Sequence, residues 1–233
     1  MKIFFRLFLA HLLTDFVLQT NFIANWKKRS FYGVLVHSFT FFILGLVLTF
    51  NELKQIWFDY PIKLSGIWCL TILTFFHAIE DEYRAYNIRH YHIKDNILFF
   101  FWDQVIHIVF LFVFSPYSSK WEFEPLVIIF CILIIGSYGL SVVILYIDSL
   151  FYTNSVAYEF FQKKMYSIIF RVIIMFLFLL PNKLYLLSLF FIPLMWILNK
   201  RVKFLSWISW WVNTIVVYSF GIGIYLIQNN FVL

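Results

Sequence analysis

The chain has 233 residues, 63% of them hydrophobic, 24% aromatic and only 13% charged, with a mean hydropathy of +0.85, whereas soluble domains carry about one-quarter charged residues. A water-soluble core of this length cannot hide so much apolar surface, and seven Gly and five Pro leave little for loops, so soluble enzymes, disordered chains and collagen-like proteins are excluded together. The formal charge of +6 does not point to nucleic acid, because the Lys and Arg are spread over several short breaks and form no single patch.

Apolar runs continue for roughly 20 residues instead of alternating over about ten, which predicts an all-α polytopic transmembrane helical bundle and not a membrane β-barrel. In chain order the runs fall at 3–24, 32–50, 62–76, 97–115, 126–147, 168–180, 184–198 and 204–227, about eight spans in one transmembrane domain over 1–233. The third, sixth and seventh are short. Tilted pairs broken at Pro181 and Pro193, or half-inserted helices, give six or seven spans as the alternative. The first run is interrupted by His11, Asp15 and Gln19 and followed by a basic break with no small-residue cleavage site, so no cleaved signal peptide is expected. Lys27, Lys28 and Arg29 follow the first run, Arg84, Arg89 and Lys94 the third, Lys163 and Lys164 the fifth, and Lys200, Arg201 and Lys203 the seventh. By the positive-inside rule these breaks face the cytoplasm and both termini lie outside, with Lys2 and Arg6 as dissenting charges.

Chemistry divides the chain. Residues 1–120 read as a four-helix half whose runs contain ionisable groups, while 121–233, from Trp121 onward, is aliphatic and aromatic. In AHLLTDFVLQTNF, His11, Asp15 and Gln19 recur every four residues, which places them on one face of one helix. FFHAIED sets His77 four before Asp81, FFWDQVIH sets Asp103 four before His107 with Gln104 beside it, and His37 stands alone in the second run. Six His and six Asp scattered at random would give about 0.3 pairs at that spacing, against the three seen. Counting back from the nearest basic break at about 1.5 Å per residue puts Asp15 and His107 about 15 Å deep, Gln19 and Asp103 about 10 Å deep, His37 and His77 slightly shallower and Asp81 at the interface.

Each charge at such depth costs at least about 2.5–3.5 kcal/mol, so Asp15 and Asp103 must be paired, protonated or metal-bound. Neutral imidazole and carboxylate oxygen suit zinc, manganese or iron, and without sulfur ligands the set favours a site with an open position over a closed structural zinc. The bland reading of the same residues is hydrogen-bonded struts between helices. Cys69 and Cys131, both inside apolar runs, form no disulfide or metal pattern. His90 and His92 read as loop surface, Arg171 as snorkelling to the inner interface or contacting a phosphate, and Trp207, Trp210 and Trp211 as an interfacial anchor.

These motifs, AHLLTDFVLQ with Lys27 and Lys28 behind it, His37, HAIED and WDQVIH, resemble a bacterial polytopic membrane family of unknown function, numbered 3307 among such domains. The resemblance covers the first half and matches at His11, Asp15, Gln19, His37, His77, Asp81, Asp103, Gln104 and His107; the acidic run Glu80-Asp81-Glu82 departs from its pattern. More distantly, the His- and Asp-rich helices are similar to proteins described as membrane-bound metal-dependent hydrolases. Together the residues and the resemblance imply a multi-pass protein of a bacterial inner membrane holding a divalent metal, zinc or manganese foremost, and hydrolysing a lipid-like phosphoester reached from the cytoplasmic leaflet. In that reading His11, Asp15, His37, His77, Asp81, Asp103 and His107 are the metal-ligand candidates, Asp15 or Asp103 orients a ligand or acts as base, and Gln19 or Gln104 positions substrate or water. The lipid bilayer is the expected partner, and nucleic acid is not. A proton- or cation-coupled transporter using the same residues is the alternative, and a non-catalytic membrane partner protein with a structural polar core the third.

Overall fold

The computed structural model describes residues 1–59, 61–93, 95–116, 124–181 and 183–231; Lys94 and Trp121 of the sequence reading lie outside the described residues. The chain forms two compact units, Met1–Ile128 and Ile129–Leu233. Apart from one short antiparallel pair, every element is helical.

In the first unit, α1 (Lys2–Leu12) runs into a π-helical turn over Leu13–Leu18, and the helix stops at Gln19, whose ψ of 83° leaves the helical region. Thr20 then caps α2 (Asn21–Arg29) by accepting a hydrogen bond from the Ile23 amide, and the chain bends by 97° at this break. The single span expected over 3–24 is therefore two helices. Ser30 starts α3 (Phe31–Thr49) by accepting from the Tyr32 amide. Strands β1 (Ile56–Phe58) and β2 (Leu64–Ser65) pair before α4 (Gly66–His90), and Asn96 caps α5 (Ile97–Val113) by accepting from the Phe99 amide at 2.9 Å.

Leu7 and Ala10 of α1, Phe41 of α3, Leu70 and Leu73 of α4 and Leu111 of α5 make the core of this unit. Gly45 allows α3 and α4 to meet closely, since a Cβ there would stand 2.5 Å from Leu70 Cδ1. The outward faces are the reverse of a soluble protein. Phe39, Val47, Phe75 and Trp102 are at least 60% exposed, while His37, His77, Asp81 and Asp103 are each at most 4% exposed. An apolar outside around a polar inside is stable only with lipid for solvent.

The second unit continues from α6 (Pro125–Ile134) through a π turn at Ile135–Gly139 into α7 (Leu140–Phe151), α8 (Asn154–Gln162), α9 (Lys164–Leu177), a 3-10 segment at Leu184–Phe190, α10 (Phe191–Val202) and α11 (Trp207–Phe231). Its core gathers Ile129, Ile174, Met175, Met195, Phe204, Val217 and Ile224. It is not purely aliphatic and aromatic inside. Asp148 accepts hydrogen bonds from Ser206 and Ser209, both at 2.6 Å, at the start of α11. Arg171 does not snorkel: it is 1% exposed, with Nε donating to Asn213 Oδ1 and Nη1 to the Ser137 carbonyl and Ser141 Oγ. Its length, which would allow snorkelling, is spent on acceptors that three neighbouring segments supply within the bundle.

Among the described residues, four helical segments are long and apolar enough to cross a membrane, namely Phe31–Glu52, Pro125–Phe151, Leu184–Val202 and Trp207–Asn230, and the bent pair Lys2–Leu18 and Asn21–Arg29 makes five if it is one span. The eight runs read from the sequence exceed this count for physical reasons. The run 62–76 lies in α4, whose second half carries Glu80, Asp81, Glu82 and Arg84; the run 97–115 gives a 17-residue helix; and the run 168–180 falls in the 14-residue α9.

Candidate functional site

Three helical segments of the first unit converge on one buried centre. The π turn after α1 brings Asp15, α3 brings His37, and α4 brings His77 and Asp81 one turn apart. His37 Nε2 lies 3.2 Å from Asp15 Oδ1 and 3.4 Å from Asp81 Oδ2, while His77 Nε2 lies 3.6 Å from the same Asp15 oxygen and 3.5 Å from the same Asp81 oxygen. Each nitrogen carries one proton or one lone pair, so two imidazoles cannot satisfy four such contacts. Accordingly His77 Nε2 and Asp81 Oδ2 are buried without a hydrogen-bond partner. A tetrahedral ion with donors at about 2.0–2.1 Å sets those donors about 3.3–3.4 Å apart, and the four imidazole–carboxylate separations here, 3.2 to 3.6 Å, are of that size. Among the described residues, His11, Asp15 and His77, then His37, His77 and Asp81, and then Asp81, Asp103 and His107 form groups that could hold a metal ion.

The outward-facing oxygens of the two carboxylates are held from behind. Lys27 of α2 donates to Asp81 Oδ1 at 2.8 Å, and Gln104 Nε2 of α5 to Asp15 Oδ2 at 3.4 Å and to Asp103 Oδ2 at 3.2 Å. Arg84 bridges Asp103 Oδ2 at 2.9 Å and Asp95 Oδ1 at 2.7 Å. Such outer partners orient metal ligands and limit the charge left unpaired inside the bundle. Lys27 and Arg84 are absent from the residues chosen by sequence. Lys27 stood among charges that mark topology, and Arg84 could have been found because it lies three residues after Asp81 on the same helix face.

His11 and His107 complete the centre. His107 Nδ1 lies 2.8 Å from the Asp103 carbonyl and so carries the proton, leaving Nε2 as a buried lone pair without a partner. Gln104 donates its amide to carboxylates, so its Oε1 accepts from His11 Nε2 at 3.2 Å, and His11 Nδ1 is likewise left bare. The two rings stack with centroids 5.0 Å apart, and His107 meets His77 at 4.4 Å.

Gln19 sits where the helix ends, and its buried Oε1 has no hydrogen-bond partner among the described residues. Asp81 is buried within the unit. It is 2% exposed and touches the same imidazoles as Asp15, because α4 continues for 25 residues and α2 folds back beside it. His90 and His92 are exposed and stand apart. Lys2 and Arg6, the dissenting charges, are neutralised where they stand: Arg6 makes a bidentate pair with Glu124 at 2.6 and 2.7 Å and contacts Glu52, and Lys2 lies 3.2 Å from Glu52.

No curated protein and no solved structure matches the chain. The family model described as "Protein of unknown function (DUF3307)" matches residues 3–134, more than half of the chain and all the helices that build this centre, and the chain belongs to that family.

Proposed function

We propose that this protein is a membrane-embedded, divalent-metal-dependent hydrolase acting on a phosphoester of a lipid-like substrate drawn from the cytoplasmic leaflet of a bacterial inner membrane. The observation that carries the reading is the set formed by Asp15, His37, His77 and Asp81, whose imidazole–carboxylate separations match the spacing of ligands around one ion and whose His77 Nε2 and Asp81 Oδ2 are buried without a hydrogen-bond partner. A bound zinc or manganese would supply Lewis-acid chemistry to a phosphoryl oxygen. The chain's own residues do the rest. Lys27 and Gln104 hold the carboxylates in place, and the bare nitrogen of His11 can take a proton from water as it adds to phosphorus and return it to the ester oxygen, which leaves as an alcohol. Arg84, already beside Asp103, supplies positive charge at the rim of the centre.

The transporter reading needs a wet path through the bundle. Along α1, α3 and α4 the Arg6–Glu52 pair and the His/Asp centre are separated by Leu7, Phe41, Leu70 and Leu73, all at most 2% exposed. That apolar layer favours a site open to one side.

The test is turnover of phosphatidic acid in mixed micelles by the purified protein loaded with zinc or manganese, read as inorganic phosphate. Release is expected to depend on the metal, to vanish in His77→Ala and Asp81→Ala, and to fall about 10–100-fold in Gln104→Ala, whose role is to orient ligands. Stoichiometric metal without turnover of this or other lipid phosphoesters would sink the hydrolase and move transport ahead.

A further inference from the structure

We infer that the centre takes a second divalent cation beside the first, held by His107 Nε2 and Asp103, with Asp81 as the carboxylate shared between the two positions. The inference rests on the metal reading of the first position and goes beyond it in the number and place of the ions. Asp81, Asp103 and His107 each offer a ligand atom, all within 4.8 Å of one another, and Asp81 also belongs to the set with His37 and His77. A carboxylate common to two ligand sets is how ions about 3.5–4 Å apart are held in two-metal hydrolytic sites.

The available atoms agree. Asp103 Oδ2 is engaged by Arg84 and Gln104, so Oδ1 is the oxygen that would face an ion. Asp81 Oδ2 has no hydrogen-bond partner, and Oδ1 keeps a second lone pair beside the one given to Lys27. His107 is 4% exposed, with Nδ1 fixed as a donor by the Asp103 carbonyl and Nε2 bare. Beside Asp81 and Asp103, that bare nitrogen completes a ligand set of one imidazole and two carboxylates.

Charge points the same way. Three buried carboxylates, Asp15, Asp81 and Asp103, face Lys27 and Arg84, while Asp95 is paired by both Arg84 and Lys28. One divalent ion offsets this deficit. A second makes the centre strongly cationic, which is the charge that a phosphoester anion requires.

The full-length protein, purified in detergent, stripped with chelator and dialysed against manganese alone, tests this through metal per chain by mass spectrometry and through electron paramagnetic resonance. Two manganese ions per chain with an exchange-coupled spectrum are expected for the wild type, falling to one uncoupled ion in His107→Ala and in the milder Asp103→Asn. One ion per wild-type chain with an uncoupled spectrum overturns the second position and leaves the first standing. No manganese and no zinc bound to the wild type overturns both the inference and the metal reading beneath it. The wild-type stoichiometry decides the matter even where a variant fails to fold.

Discussion

Lys27 shows how one side chain ties the surface of this protein to its interior. Its ammonium reaches Asp81 at 2.8 Å from a helix that has no buried residues of its own. Lys27→Met leaves a buried carboxylate oxygen unpaired. The loss expected in the metal-free protein is about 2–3 kcal/mol, below the ~3–5 kcal/mol of a fully buried pair, because 15% of the Lys27 side chain stays exposed. A bound divalent ion would offset part of that loss. Zinc should therefore raise the melting temperature of Lys27→Met by more than it raises that of the wild type, as followed by scanning fluorimetry in detergent. Equal shifts would show that Lys27 does not act through the metal position. At this scale the sequence was partly legible: His/Asp pairs four apart on a helix share a face by geometry, so His77 with Asp81 and Asp103 with His107 could be chosen directly. The contacts of His37 were not legible, because nothing in its own run indicates which helix it meets.

Among elements, the bend between α1 and α2 does most to shape the centre. The π turn swings Asp15 toward α3 and α4, and the bend of 97° lays α2 back so that Lys27 can reach α4. Gly33 holds that return in place, since a Cβ there would stand 2.6 Å from the Lys27 backbone nitrogen. Backbone cannot swing aside as a flexible side-chain end can, so Gly33→Ala should push α2 away and weaken metal binding, measured by calorimetry, at least several-fold. Gly223→Ala, where a Cβ meets nothing within 4 Å, is the matched control and should leave the affinity unchanged. The bend was hidden in the sequence because 3–24 is apolar enough to read as one span. Thr20, a residue type favoured at helix N-caps, marks the start of α2 in a way that hydropathy alone overlooks.

For the whole molecule, the expected placement is that the basic break after α2 lies in the cytoplasm and the hairpin after α3 lies outside. Lys28→Cys and Asp59→Cys, introduced singly with Cys69 and Cys131 replaced by Ser, test it with a membrane-impermeant maleimide. Asp59→Cys should be labelled in intact spheroplasts and Lys28→Cys only after the membrane is opened; the reverse pattern would invert the orientation and place the His/Asp centre toward the outer leaflet. Lys2 and Arg6 are paired with Glu52 and Glu124, but the positive-inside rule counts Lys and Arg and not net charge, so these two residues still stand against this placement.

The sequence by itself determined the membrane helical class, because 63% hydrophobic composition in long runs admits no other solvent. It also determined the family through residues 3–134 and most of the side chains of the centre, because helical periodicity is a local property. Only the tertiary structure decided which oxygen faces which nitrogen, that Asp81 is interior, that the first helix breaks at Gln19, that Lys27 and Arg84 belong to the centre, and that Arg171 is buried. Those facts depend on a break in one helix and on contacts between residues up to 93 positions apart, and local periodicity carries no information about either.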